Sequence, residues 1–349
     1  MVDLESVRDR LGAFLQDQHG APVEVADLEV LTGGYSLVTV AFTATTAEGS
    51  ARYVLRTDPP SDAALTQSDR AQEAEVLAAL TEAGTVPMPR LRWSDPTGAA
   101  LGSPALILDF VDGPQLLARL REVDDAEVAS LALQLAETIG TVHVAGNAAA
   151  PPSLARPATW DEYIDGFIEG WRDVERAYPE RNPFIRWVAD WLDGHRPPPA
   201  PLTLVHGEFQ TGNVMLDSSG AMQVIDWEYA HIGDPRADLG WMQNVAAFTP
   251  PDPMAVDPAG FCRRYCEVTG LDEDIVNPST VAWFTVAAGY KSMGALLQGI
   301  AAVATGDNHL ITSAYLVSAM PFIHGLWRET VHALEADAAA ARSTVEAAS

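Results

Sequence analysis

Apolar residues at Leu4, Val7, Leu11 and Leu15 recur at helical spacing and predict an amphipathic opening helix. Three short β-rich runs follow, at residues 23–31, 37–43 and 52–56, separated by turns that carry Gly33-Gly34 and Glu48-Gly49. Runs joined in this way predict an antiparallel meander. Pro59-Pro60 ends it, and residues 68–82 return to a helical pattern. After the break at Pro87-Met88-Pro89, residues 90–94 and 105–110 predict a further strand pair. Beyond Asp112-Gly113-Pro114 the character changes: residues 116–146 and 160–191 are helical in pattern, and the second stretch is rich in aromatic side chains. The prolines at 197–199 and 201 form a rigid loop rather than a linker, because the apolar run 202–205 follows almost at once. Two more short apolar runs, 214–216 and 222–225, flank the turn Asp217-Ser218-Ser219-Gly220, and the remainder is helical. The pattern therefore predicts an α+β chain: a small β-rich lobe over residues 1–110 and a larger, mainly helical lobe over 111–349.

Charge narrows the possible partners. The 349 residues carry 21 basic and 48 acidic side chains, a formal net charge of −27. So acidic a chain is unsuited to nucleic acid, whose binding draws on Lys and Arg at phosphate, and it lacks a polybasic patch for an anionic membrane. Lys291 is the only lysine. The apolar stretch 281–303 is long enough to span a bilayer, but Tyr290, Lys291, Ser292 and Gln298 interrupt it, which favours a helix buried in a globular domain. The N-terminus has no apolar signal core, so a cytoplasmic location is expected. Cys262 and Cys266 are too few for a disulfide framework and read as buried small hydrophobes.

The chemistry is concentrated in Val205-His206-Gly207-Glu208-Phe209-Gln210-Thr211-Gly212-Asn213, followed by Val224-Ile225-Asp226-Trp227-Glu228. An apolar strand delivers a loop bearing the carboxylate of Glu208 and, five residues later, the carboxamide of Asn213. A tight hairpin then returns a second carboxylate, Asp226. Oxygen ligands from Asn213 and Asp226, completed by phosphate oxygens and water, suit Mg2+. Glu208 is placed to accept a proton from a substrate hydroxyl. A carboxamide, a metal carboxylate and a base carboxylate at these offsets are the parts phosphoryl transfer needs.

This run resembles the catalytic loop of the aminoglycoside phosphotransferase and choline kinase-like family, small-molecule relatives of protein kinases. Their pattern is His-Gly-Asp, four residues, Asn, a hairpin, an apolar residue and the metal Asp. Gly233-Asp234-Pro235-Arg236-Ala237-Asp238-Leu239 matches as well, at the position where the second Asp opens a helix and braces the catalytic loop. The resemblance implies a bilobal protein-kinase-like fold and ATP (or GTP) with Mg2+. It further implies transfer of the γ-phosphoryl group to a hydroxyl of a small molecule such as an aminoglycoside, an amino-alcohol or a sugar. It places a phosphate-covering loop at Gly33, Gly34 and Ser36, and the phosphate-pairing cation at Arg56, where relatives carry lysine. It makes Glu73 the ion-pair partner of Arg56, with Glu75 as the competing choice. It makes Asp109, Phe110 and Val111 the hinge whose backbone holds adenine. Glu228, next to the metal Asp, is assigned to the acceptor.

Two positions depart from the family pattern: Glu208 stands where relatives have Asp, and Arg56 where they have Lys. One extra methylene moves a carboxylate by roughly a bond length, and catalytic geometry is intolerant of errors of about 1 Å. The alternative to an active kinase is therefore a nucleotide- or ligand-binding pseudokinase without efficient turnover. His206 is expected to orient the loop and Asp238 to brace it. Lys291 is expected to run its stem along apolar surface to a solvated head. The acidic charge suits a cationic acceptor drawn into a carboxylate-lined cleft.

Overall fold

In a computed structural model the chain forms two compact units, one comprising residues 1–114, 148–154 and 214–230, the other 115–147, 155–213 and 231–349. The structure describes residues 3–31, 38–58, 69–177, 183–305, 318, 321–322 and 324–336. The predicted phosphate-covering residues Gly33, Gly34 and Ser36 lie outside them. The first boundary falls close to the expected one, but 148–154 and 214–230, expected in the C-terminal lobe, pack with the first unit.

The first unit opens with helix α1 (Leu4–His19), capped by Asp3, whose carboxylate accepts from the N–H groups of Glu5 and Ser6. A five-stranded antiparallel sheet follows, ordered β1-β2-β3-β5-β4, from β1 (Glu24–Val30), β2 (Val38–Thr46), β3 (Gly49–Thr57), β4 (Leu91–Asp95) and β5 (Ala105–Asp109). Leu11 and Leu15 of α1 join Val25, Val40, Phe42, Leu55 and Ile107 in one core, so the helix covers one face of the sheet. Helix α2 (Arg70–Ala83) starts at Asp69, whose carboxylate accepts from Gln72 N at 3.0 Å, and ends at Gly84 with φ 64°. The hairpin β7 (Val214–Leu216) and β8 (Met222–Val224) completes the unit. Gly113 is required where the chain crosses it, because a Cβ there would lie 1.8 Å from Leu216 O.

The second unit is mainly helical: α3 (Leu116–Leu120), α4 (Asp125–Ala149), α5 (Trp160–Ala177), α6 (Pro183–Gly194), α7 (Arg236–Ala246), α8 (Pro258–Thr269) and α9 (Pro278–Thr305). Its core joins Ile164, Ile168 and Trp171 of α5 to Val188 and Leu192 of α6 and to Trp283, Phe284 and Ala287 of α9. The stretch from 281 thus lies in a buried core helix, as its interrupted pattern predicted. Among the described residues, the helix long and apolar enough to cross a membrane by length and composition is instead Asp125–Ala149, half of whose apolar window is buried. One short antiparallel pair, β6 (Thr203–Val205) with β9 (His231–Gly233), interrupts the helices. Strand β9 was not foreseen: three residues are too few to show a period of two. This pair sets out the loop after β6 and the turn that leads into α7.

Candidate active site

In the second unit, β6 delivers the loop that begins at His206. The side chain of His206 is fully buried, and Gly207 has φ 83°, a left-handed conformation that glycine adopts without strain. Asp238, in the first turn of α7, holds this bend: its Oδ2 accepts from His206 N at 2.7 Å and its Oδ1 from Gly207 N at 2.8 Å. His143 of α4 contacts the same carboxylate through Nε2 at 3.0 Å, while its Nδ1 lies 2.6 Å from the Tyr265 hydroxyl. With Tyr265 donating, Nδ1 is the acceptor and Nε2 carries the proton given to Asp238, a tautomer inferred from the partners. Burial, the strongest influence on Asp238, would raise its carboxyl; the hydrogen bonds from His143 and from His206 N outweigh it and hold the group below the usual carboxylate range. The expected brace is therefore present, and it extends two residues further than sequence showed, to His143 and Tyr265.

The turn before α7 is anchored just as firmly. Arg236 donates to Asp234 through Nε (2.9 Å) and Nη2 (2.6 Å), and also to the carbonyls of Ile275 and Pro198; both side chains are fully buried. Trp160 Nε1 gives Asp234 a further hydrogen bond at 2.7 Å. This fork fixes where α7 begins and hence where Asp238 stands. Arg236 was legible only as part of a family motif, without a role.

Further along the loop, Glu208 N contacts His206 Nδ1 at 3.3 Å, the orienting role expected of that histidine. Asn213 ends a short 3-10 turn (Thr211–Asn213) and donates through Nδ2 to Glu208 O at 3.0 Å. Its amide nitrogen is spent on the loop, which leaves the carbonyl oxygen as the atom suited to a hard cation. Lys291 departs from expectation. Its ammonium is not in solvent: it donates to Gly207 O at 3.0 Å, sits 5.2 Å over the Trp241 ring, and burial lowers its pKa despite the charges of Glu208 and Asp238. The apolar helix pattern around residue 291 could not reveal a backbone carbonyl brought from 84 residues away.

In the first unit a separate set of charges meets. Arg56 of β3 donates through Nη1 to Glu73 Oε1 at 2.8 Å and through Nη2 to Asp226. Glu73 also accepts from Arg70, which reaches Asp58 at 2.8 Å and lies 3.8 Å from Glu228. The choice between Glu73 and Glu75 is thereby resolved for the ion pair, since Glu75 accepts from Ser153 instead. Two guanidinium groups face four carboxylates, an excess of negative charge that suits a divalent cation at Asp226. Among the described residues no three His, Cys, Asp or Glu side chains come together as a metal-binding group.

Asp226 itself has φ 71°, a conformation that costs an L-residue other than Gly about 1 kcal/mol and that recurs at functional turns. Trp227 pins this turn by donating to Val224 O at 3.0 Å. Glu228, assigned to the acceptor by its adjacency to Asp226, lies in this cluster, 3.8 Å from Arg70. Its side chain is 4% exposed, and burial followed by the charge of Asp226 pushes its carboxyl up to about 7, against the opposing pull of Arg56.

The hinge expectation is also adjusted. Asp109, Phe110 and Val111 line a cavity of about 510 Å3 within the first unit, together with residues 86–90 and 217–219. The Asp109 carboxylate is held by Arg92 at 2.6 and 2.9 Å, and Phe110 N donates to Arg52 O at 3.3 Å. Within the expected adenine-holding backbone of Asp109, Phe110 and Val111, the Phe110 N–H is thus engaged within the sheet. Cys262 and Cys266 are buried and free, with thiol pKa values pushed up by burial to about 12 and 11, as small hydrophobes rather than ligands.

Comparison with known proteins agrees with this geometry. Over nearly the whole chain the fold is similar to a Ralstonia eutropha protein assigned as an aminoglycoside phosphotransferase (22% identity, 93% of this chain and 98% of that one, TM-score 0.67). It is also similar to a choline/ethanolamine kinase family protein from Mesorhizobium loti (17%, 88% and 92%, TM-score 0.54). A third similar structure is an aminoglycoside phosphotransferase in ternary complex with ADP and hygromycin B (18%, 91% and 98%, TM-score 0.60). Among curated proteins, Arabidopsis thaliana IBR3, assigned as an acyl-CoA dehydrogenase, is 28% identical over 250 residues, which are 67% of this chain and 30% of that protein. The chain thus spans about a third of the length of the curated relatives it matches. Residues 27–273, well over half the chain, match the family model described as the phosphotransferase enzyme family, and the chain belongs to that family.

Proposed function

We propose that the protein is an ATP-dependent O-phosphotransferase that moves the γ-phosphoryl group to a hydroxyl of a small molecule. The observation that carries this reading is the loop 206–208, whose backbone is bound at two consecutive N–H groups by the buried Asp238 carboxylate. A loop fixed in this manner presents Glu208 with little freedom, and a pre-positioned base is what transfer to an alcohol demands. The acceptor oxygen attacks the γ-phosphorus, its proton passes to the Glu208 carboxylate, and the bond from the γ-phosphorus to the bridging oxygen breaks to release ADP. In this reading Arg56 would pair with the phosphates, and Asn213 and Asp226 would hold Mg2+, which would supply charge neutralisation. Enzymes of similar fold are seen with ADP and with GDP, which supports a purine nucleotide donor and leaves ATP against GTP to the test below.

The reading is tested by incubating the protein with Mg-ATP or Mg-GTP and a broad panel of alcohols, including hydroxylated thioesters because curated relatives carry acyl-CoA dehydrogenase names. Products are detected by the mass gained on phosphorylation. Transfer by the wild type that is lost in Glu208→Gln and Asp226→Asn supports it. Thermal stabilisation by Mg-ATP with no transfer to any alcohol would instead favour the pseudokinase alternative, which the Glu208 departure motivates.

A further inference from the structure

A second cavity, of about 270 Å3, lies wholly within the second unit against the loop that carries Glu208. Gly207 and Asp238 form its loop end, and Tyr163, Phe167, Trp241 and Tyr290 wall it with aromatic rings. Its position makes it the acceptor pocket of the proposed reaction. Aromatic walls suit two opposite classes of ligand: an apolar body, or a cation held over the ring faces. The two are told apart by what the protein has already placed there.

Lys291 lines the cavity, and its ammonium sits 5.2 Å over the Trp241 ring while donating to Gly207 O at 3.0 Å. The ring face that would receive a ligand cation is thus occupied by the protein's own. A second cation would meet a like charge in a site where water screens poorly. The acids on the wall do not reverse this. Glu208 and Asp238 already face Lys291 as its counter-charges, Asp238 is also engaged by His206 N, Gly207 N and His143, and the exposed Glu162 accepts from Ala158 N at 2.7 Å. Two further buried polar groups on the wall, Trp241 Nε1 and the Tyr163 hydroxyl, have no hydrogen-bond partner among the described residues. An indole N–H can only donate, so its complement is an acceptor oxygen.

We propose that this pocket takes an uncharged or anionic hydroxylated molecule with an apolar body, and that Lys291 is the residue that excludes cationic amino-alcohols and aminoglycosides. The proposal rests on the phosphotransferase reading for the identity of the pocket, and it reverses the cationic acceptor expected from net charge. Overall acidity is spread across the surface, whereas selection at the reacting hydroxyl is decided by the charge inside the pocket. Burial lowers the Lys291 pKa from its ordinary value, which marks the ammonium as confined rather than solvated.

Three probes of one shape test it: para-hydroxymethylbenzoate, para-xylylene glycol and para-aminomethylbenzyl alcohol, which differ only in the charge at the end remote from one hydroxyl. Binding to the full chain is read by ligand-observed NMR, and turnover with Mg-ATP by phosphorylated product. The wild type is expected to bind and turn over the neutral and anionic probes at least about tenfold better than the ammonium probe. Lys291→Met should erase most of that discrimination and leave the KM for ATP unchanged. Lys291→Arg should keep it, which separates loss of charge from loss of folding.

Preference of the wild type for the ammonium probe, unaltered discrimination in Lys291→Met, or binding of none of the three overturns the proposal. Discriminating binding without transfer would count against the phosphotransferase reading alone. Transfer without charge discrimination would count against the Lys291 assignment alone.

Discussion

In the second unit the loop around Glu208 is fixed by hydrogen bonds from its backbone to one buried carboxylate, whereas in the first unit Arg56, Arg70, Glu73, Asp226 and Glu228 are held chiefly by one another. The loop is thereby shaped through its backbone, at His206 N and Gly207 N, before any substrate arrives. The charge cluster is different: a dication at Asp226, or a phosphate at Arg56, must compete with a partner already in contact. Preorganisation on one side and partner exchange on the other is an economical division for phosphoryl transfer. In the proposed reaction the base would be in place before transfer, and the charge cluster would bind and release a nucleotide on every cycle.

The largest effect should come from the exchange side. Asp226→Asn removes the charge that a cation would use, and kcat is expected to fall by about a thousandfold or more, with the loss measured by product formation under saturating Mg-ATP. Thermal stability should change little, because the substitution keeps the side chain's shape and leaves Arg56 its bond to Glu73.

Asp238→Asn strikes the preorganised side and should cost both folding and rate. An amide offers only one acceptor oxygen to three donors, so a loss of about 2–4 kcal/mol is expected in denaturant unfolding. Activity should fall about ten- to a hundredfold through loop misplacement. The pH dependence has a definite sign. Because the folded Asp238 carboxyl is held below its ordinary value, its stabilising contribution is complete above the usual carboxyl range, near pH ~4, and is lost as pH falls through the lower folded value. The variant should lack that acid limb.

Arg56 and Glu73 sharpen the comparison further. Arg56→Ala leaves the fully buried Glu73 with Arg70 alone and should cost about 1–3 kcal/mol, read as a fall in Tm. Arg56→Lys restores the family's residue, but an ammonium cannot span Glu73 and Asp226 with the same fork, so the nucleotide KM should shift by up to about tenfold. The smallest effect belongs to Glu75. Its exposed hydrogen bond to Ser153 predicts that Glu75→Ala changes stability by less than about 0.5 kcal/mol, in contrast to Glu73→Ala.

How far the sequence could be read follows from the range of the interactions concerned. Helices and strands longer than a few residues announced themselves by period and by end signals, as with Asp69 and Gly84 around α2. The His206–Asn213 loop and Asp238 were legible because their chemistry is local in sequence and dense. The three-residue strand β9 was not, since no period fits in three residues. His143, Tyr265 and the Lys291 contact with Gly207 were invisible for another reason: each joins residues from about 84 to 122 apart, and a lone His, Tyr or Lys in an apolar helix carries no mark of its partner. Glu228 was assigned by adjacency to Asp226, whereas turn geometry sets which charges it faces.

The most direct measurement concerns Glu208. Single-turnover phosphoryl transfer from Mg-ATP to an alcohol accepted by the wild type is compared across wild type, Glu208→Gln and Glu208→Asp, with nucleotide affinity measured in parallel. A base on a fixed loop predicts that Gln lowers the transfer rate about a hundred- to a thousandfold, that Asp stays within about tenfold of wild type, and that ATP binding is unchanged. Equal transfer rates in Glu208→Gln and the wild type would contradict it.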